Sequence, residues 1–144
     1  MDKVLVVVDM QEKFIAECGA FDIVTLAAEK IRARKAEGYE IILTLDRSGG
    51  KLCGEVADVS EGGIIYRKRS YGCSQLILGL ADKKPEIIEF IGVCTDICVI
   101  TNVLGVMAFL PDSKIMVDSK CCATGTNGHS AALKVMKSCK IEVR

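Results

Sequence analysis

The sequence predicts an α/β fold: a three-layer α/β/α, Rossmann-like domain on a mostly parallel six-stranded sheet. Three observations carry that expectation. Runs such as Lys3 to Val8 and Ile41 to Leu45 are apolar almost throughout rather than alternating, which marks strands buried on both faces. Segments with apolar residues at helical spacing separate the strands, so the order reads β-α-β-β-α-β-α-β-α-β, the pattern of parallel strands joined by helical crossovers. The 144 residues make one domain, spanning 1–144, long enough to bury roughly two thirds of its unfolded surface.

The first strand, Lys3 to Val8, ends at Asp9-Met10-Gln11. Phe21 to Lys35 places Ile23, Leu26, Ala27 and Ile31 on one face of a helix, and Gly38 suits its C-terminal end. Ile41 to Leu45 is the second strand, closed by Asp46 and the loop Arg47-Ser48-Gly49-Gly50. Lys51 to Gly63 is polar and glycine-bearing, with no periodicity that assigns it. Ile64 to Arg67 is a short third strand leading into Lys68-Arg69-Ser70-Tyr71-Gly72. Ser74 to Ala81 suits a short helix begun by a serine cap. Pro85 precedes the fourth strand, Glu86 to Ile91, and Val99 to Leu110 is a buried helix. After the Pro111-Asp112 turn come a fifth strand, Lys114 to Val117, a loop, Asp118 to Thr126, a helix, Gly128 to Ser138, and a short last strand, Ile141 to Arg144. Right-handed crossovers then give the strand order 3-2-1-4-5-6, which reverses between strands one and four.

Composition narrows the function. Lysine plus arginine and aspartate plus glutamate balance at 19 each, so no field draws nucleic acid or a membrane surface. Tryptophan is absent and aromatics are 5%, which leaves little to stack on bases. No apolar stretch is long enough to span a bilayer, and the Val4 to Val8 run is too short for a signal peptide. The eight cysteines include no Cys-x-x-Cys pair and no zinc-ligand spacing, so a reduced, cytoplasmic protein with mostly buried thiols is expected. Neither the dinucleotide glycine signature nor a P-loop is present, and no cofactor is expected.

The stretch richest in chemistry is Gly92-Val93-Cys94-Thr95-Asp96-Ile97-Cys98-Val99, where a strand turns into a helix. With Thr95 as N-cap, Cys98 falls in the first helical turn. Free N–H groups and the helix dipole there favour a thiolate and can hold an oxyanion. Each candidate has a plainer explanation: cysteines are mostly core packing, Asp9 suits a turn cap, and the run around Lys68 suits a solvated face. Strand order nevertheless gathers Asp9, Cys98 and Lys68 at the reversal crevice, where such sheets carry their sites.

These blocks resemble the isochorismatase-like cysteine hydrolases, the family of nicotinamidases and N-carbamoylsarcosine amidase. Val6-Val7-Val8-Asp9-Met10-Gln11 with Phe14 looks like the family's opening strand, and Arg67-Lys68-Arg69-Ser70-Tyr71 like its lysine block. Gly92 to Val99 looks like its nucleophile block, and Cys121-Cys122-Ala123-Thr124 and His129 to Met136 fit its end. The resemblance implies a triad of Asp9, Lys68 and Cys98, with Cys98 forming a thioester, Asp9 moving protons and Lys68 holding both by charge. It further implies a cis Val93–Cys94 bond and an oxyanion hole from the backbone N–H groups of Cys94 and Cys98.

Departures shape the substrate expectation. Nicotinamidases bind a metal through an aspartate and histidines after the second strand, whereas Asp46 is followed by Arg47-Ser48-Gly49. The only histidine, His129, lies in the C-terminal helix and suits packing or capping, so no metal site is expected. Isochorismatases lack the nucleophilic cysteine, which argues against that reaction. The chain is short for the family around Lys51 to Gly63 and between Tyr71 and Lys84, so the pocket is open or a partner subunit completes it. Arg47 and Arg69 suit solvated surface charges, or else a substrate carboxylate. The leading expectation is a metal-independent hydrolase of a small amide or carbamoyl compound, assembled as a homo-oligomer, dimer or tetramer. The alternatives are an inactive relative serving as a binding or assembly module, and a redox protein using Cys94 with Cys98.

Overall fold

Six strands, β1 (Lys3–Val8), β2 (Glu40–Asp46), β3 (Ile64–Lys68), β4 (Ile87–Val93), β5 (Lys114–Ala123) and β6 (Glu142–Val143), pair in parallel in the order β3-β2-β1-β4-β5-β6. The computed structural model describes residues 2–144. Alternation along β1 sends Val4, Val6 and Val8 to one face and Leu5 and Val7 to the other, each into its own apolar cluster. Helices α1 (Glu12–Cys18), α2 (Phe21–Ala36) and α3 (Gly54–Val59) cover the Leu5 face through Ile15, Ile23, Ala27, Ile31 and Val56. Helices α4 (Ser74–Lys83), α5 (Ile100–Phe109) and α6 (His129–Ser138) cover the other through Leu76, Leu80, Val103, Val106 and Met136.

The first and fourth strands lie side by side with Val8 opposite Gly92, so their C-terminal ends open onto one crevice. Gly92 holds a φ of +130°, and a Cβ there would collide with the Val8 backbone. Glycine is therefore required where the two strands approach.

The structure corrects several sequence expectations. β5 runs ten residues, to Ala123, through the segment expected to be a loop from Asp118. The polar Asp118-Ser119-Lys120 hides the strand from pattern reading; beyond it Cys121 and Cys122 are buried on opposite faces, and a register shift pairs Gly92 with Cys122. The segment 51–63, which the sequence leaves unassigned, contains α3, and Leu52 bridges back to Gln11. α1 was not expected, because its seven residues are too few to show a helical period. Ser74 lies inside α4 with no side-chain cap bond, behind Cys73 at the cap position.

A buried charge cluster joins α2 to the sheet. Glu89 in β4 is 1% exposed and accepts from Arg34 Nη2 at 2.7 Å. Lys30 bridges the Glu89 carboxylate, at 3.2 Å, and Asp118, at 2.7 Å.

Candidate active site

Asp9 follows β1 in the left-handed region, with φ of 51°, and its N–H donates to the Thr44 carbonyl at 3.1 Å. That backbone turn directs a fully buried carboxylate into the crevice. Asp9 Oδ1 accepts from the Thr44 hydroxyl at 2.8 Å. Oδ2 lies 2.8 Å from Lys68 Nζ as an ion pair without the alignment of a hydrogen bond.

Lys68 is the last residue of β3, opposite Asp46 of β2. Its ammonium donates to the carbonyls of Ser70 at 2.8 Å and Tyr71 at 3.0 Å, and to Cys98 Sγ at 3.4 Å. Asp46 Oδ2 stands 3.6 Å away. Lys68 is thus a buried cation with carboxylate, carbonyl and thiol partners, while its neighbours Arg67 and Arg69 are exposed.

Cys98 lies in a π-helical turn, Thr95–Val99, rather than in the first turn of the α-helix. Thr95 makes no cap bond; it is fully buried, and its hydroxyl meets His129 Nδ1 at 2.8 Å. The Val93–Cys94 peptide bond is cis, as the family resemblance implies. Among the described residues the Cys94 N–H donates to no loop or turn carbonyl.

Two residues the sequence reading passed over hold this arrangement. Asn102, buried in the apolar α5, donates to the carbonyls of Tyr71 at 3.1 Å and Cys98 at 2.8 Å, and accepts from the Cys73 N–H at 2.8 Å. It ties the lysine loop to the nucleophile turn. Gln11, also buried, donates to the carbonyls of Asp46 at 2.8 Å and Gly50 at 2.9 Å and accepts from the Asp46 N–H at 2.9 Å. A lone amide in an apolar helix was the available signal for Asn102, since a buried polar group must find partners.

The charges are strongly coupled. Burial pushes the Asp9 carboxyl up, against the pull of Lys68 and Thr44. Burial works against the Lys68 ammonium, but Asp9 and Cys98 outweigh it and its pKa rises. Burial and then the Asp9 charge push the Cys98 thiol up to about 12, with Lys68 opposing. The resting group is therefore a thiol, not the thiolate expected of a helix N-terminus. Desolvation beside a carboxylate exceeds what the free N–H groups and Lys68 return.

Cys94 and Cys98 face a cleft of about 200 Å3, walled by Phe14, Tyr71 and Ile97. Glu17, Asp46 and Ser48 supply its polar edge. Arg47 and Arg69 are exposed and do not line it. The donor set does not fit a metal. Asp46 Oδ1 already accepts from Ser48 N–H at 2.9 Å and Ser48 Oγ at 2.6 Å, Oδ2 faces the Lys68 ammonium, and the only histidine is bonded to Thr95. Among the described residues no group of three or more histidine, cysteine, aspartate or glutamate side chains is placed to hold an ion.

Residues 3–144 match the isochorismatase domain family. No curated protein matches in sequence. Among solved structures, a nicotinamidase from Staphylococcus aureus is 25% identical, with a TM-score of 0.85 and 100% of each chain covered. A pyrazinamidase from Pyrococcus horikoshii, solved in complex with zinc, is 22% identical, with a TM-score of 0.81 over 100% of this chain and 99% of the other. A ribonuclease from Caenorhabditis elegans is 18% identical, with a TM-score of 0.87 over 98% of this chain and 75% of the other. The last two share the fold.

Proposed function

The chain belongs to the isochorismatase domain family, and from that premise we propose that it is a metal-independent cysteine hydrolase cleaving the C–N bond of a small amide or carbamoyl compound. The observation that carries this reading is the buried cluster at the cleft floor: Lys68 Nζ stands 2.8 Å from Asp9 Oδ2 and 3.4 Å from Cys98 Sγ. The similarity to a nicotinamidase supports the amide bond as the target.

In this mechanism Asp9 takes the Cys98 proton as Sγ attacks the carbonyl carbon. A base so placed contributes about a hundredfold to ten-thousandfold. The backbone N–H groups of Cys94 and Cys98 receive the oxyanion, each such donor accounting for about a hundredfold or more. The tetrahedral adduct collapses, the C–N bond breaks, and Asp9 returns the proton to the departing amine. The resulting thioester is attacked by water, which gives its proton to Asp9, and the acid product and the Cys98 thiol are released. Lys68 stays charged throughout and holds carboxylate and sulfur in register. This sequence does not require a resting thiolate, because the proton leaves Cys98 as the sulfur attacks.

The cleft narrows the substrate. Its polar edge carries Glu17 and Asp46, and neither exposed arginine lines it, so neutral or cationic amides fit better than carboxylates. A homo-oligomer and a cytoplasmic setting belong to the same proposal; among the described residues, no helix is long and apolar enough to cross a membrane.

Ammonia release from a panel of small amides tests the reading. Wild type should turn over at least one, and a folded Cys98→Ala variant none; equal rates would sink the triad. One observation favours the alternative of an inactive binding module, namely the Cys98 thiol held at about 12. If no amide is hydrolysed and Cys98 fails to label with iodoacetamide even at alkaline pH, that alternative stands.

A further inference from the structure

One alternative offered by the sequence pairs Cys94 with Cys98 as a redox couple, but the fold gives Cys94 a different neighbour. Cys18, the last residue of α1, places its sulfur 3.3 Å from Cys94 Sγ, although 76 residues separate the two. Among the described residues this is the one thiol–thiol contact within hydrogen-bonding reach. Both side chains are half-buried, both are reduced, and Cys94 faces the substrate cleft. Four of the remaining cysteines, Cys53, Cys73, Cys121 and Cys122, are buried, and Cys139 is exposed.

We propose that Cys18 and Cys94 are an oxidisable dithiol, closing to a reversible disulfide when the protein meets a peroxide and thereby impairing the cleft. The sulfurs need to approach by about 1.2 Å to reach a bond of about 2.05 Å. Cys94, which faces the cleft, attacks the peroxide first. Its sulfur bonds to one oxygen, the O–O bond breaks, water leaves and a sulfenic acid remains. Cys18 sulfur then attacks Cys94 sulfur; the S–O bond breaks, and hydroxide leaves and takes the Cys18 proton as a second water. The pair loses two electrons and two protons, and one peroxide becomes two waters. Burial and the Cys94 neighbour hold the Cys18 thiol up at about 12, so the second step quickens as pH rises.

The consequence for turnover rests on the function proposed above; formation of the bond does not. Cys94 carries one of the two N–H groups assigned to the oxyanion. A displacement of about 1 Å in such a donor is enough to lower a rate by about a hundredfold.

The bond is tested first without the catalytic thiol, which peroxide also attacks. Folded Cys98→Ala protein is treated with hydrogen peroxide, denatured, alkylated and digested without reductant. The expected result is a loss of two hydrogen masses and a linked peptide pair containing Cys18 and Cys94, reversed by dithiothreitol and absent when Cys18→Ser is added. The same linked pair is sought in peroxide-treated wild type, so a folding defect of the variant does not decide the matter. Recovery of both thiols free, or of each oxidised singly, would overturn the disulfide. Peroxide-treated wild type should lose about tenfold or more of its ammonia release, with part regained on reduction. The regained part should be smaller in Cys18→Ser, where only sulfenic acids remain to be reduced, and an equal regained part would overturn the link between the disulfide and the loss. A complete disulfide with unchanged ammonia release would overturn the link to the cleft, while absence of release before oxidation would strike only the proposed function.

Discussion

Replacing Lys68 by methionine should expose the electrostatics of the site as a stability difference that grows with pH. The side chain is nearly isosteric, so the perturbation is the loss of one buried charge. Asp9, fully buried, then keeps the Thr44 hydroxyl and the Cys98 thiol but no cation, and the carbonyls of Ser70 and Tyr71 lose their donor. Removing one partner of a buried ion pair costs about 3–5 kcal/mol. Asp9 avoids part of that penalty by keeping its proton, which burial already favours. The sign follows from the proton count. A carboxyl whose pKa is raised on folding binds more protons in the folded state, so its contribution is full below the unfolded pKa of ~3.9 and is lost as pH rises toward the folded pKa. In Lys68→Met the folded pKa rises further, so the penalty relative to wild type should be smallest near pH 4, where mainly the lost carbonyl bonds are felt, and grow by up to ~1.4 kcal/mol per pH unit between the two folded pKa values. With a urea m-value of about 2–3 kcal/mol/M, the midpoint at pH 8 should fall by roughly 1–2 M. Urea titrations of both proteins at pH 4, 6 and 8 read this directly. A penalty that is constant with pH, or larger at pH 4, would refute the claim that Lys68 holds a charged Asp9.

Three other expectations are independent of that one. Iodoacetamide labelling of Cys98, followed by mass, should keep accelerating above pH 9, because the thiol is held at about 12; Asp9→Asn should shift the profile to lower pH by removing the carboxylate charge. A plateau near neutral pH would instead show a preformed thiolate. Asn102→Ala should cost about 2–3 kcal/mol in denaturant, since it strands the Cys73 N–H, and should lower ammonia release more than it weakens substrate binding. Arg34→Met should cost about 2–3 kcal/mol through the buried Glu89, an effect Glu89→Leu in the same chain should largely remove.

The central sheet was legible because Val4 to Val8 and Ile41 to Leu45 are apolar on both faces, and that pattern has few other solutions. Strand order places Asp9, Lys68 and Cys98 at one end of the sheet, since strand ends are fixed by where apolar runs stop. The extension of β5 was not legible, because Asp118 is drawn into the strand by Lys30 of α2, a partner 88 positions away. α1 and α3 are held by single buried residues, Ile15 and Val56, too few to make a period. The thiolate expectation failed for a related reason: sequence places Cys98 at a strand-to-helix turn but does not report its burial or the carboxylate beside it. Cys18 and Cys94 became a pair only through the packing of α1 against the end of β4.

The measurement that bears most directly on the central claim is an acid quench during turnover of an amide the protein hydrolyses, followed by peptide mass analysis. Acid preserves a thioester, so the account predicts an acyl adduct on the peptide carrying Cys98, absent from Cys98→Ala and accumulating further in Asp9→Asn if deacylation is slowed more than acylation. Ammonia release at the wild-type rate with no adduct on Cys98, or an adduct on another residue, would contradict the assignment of Cys98 as the nucleophile.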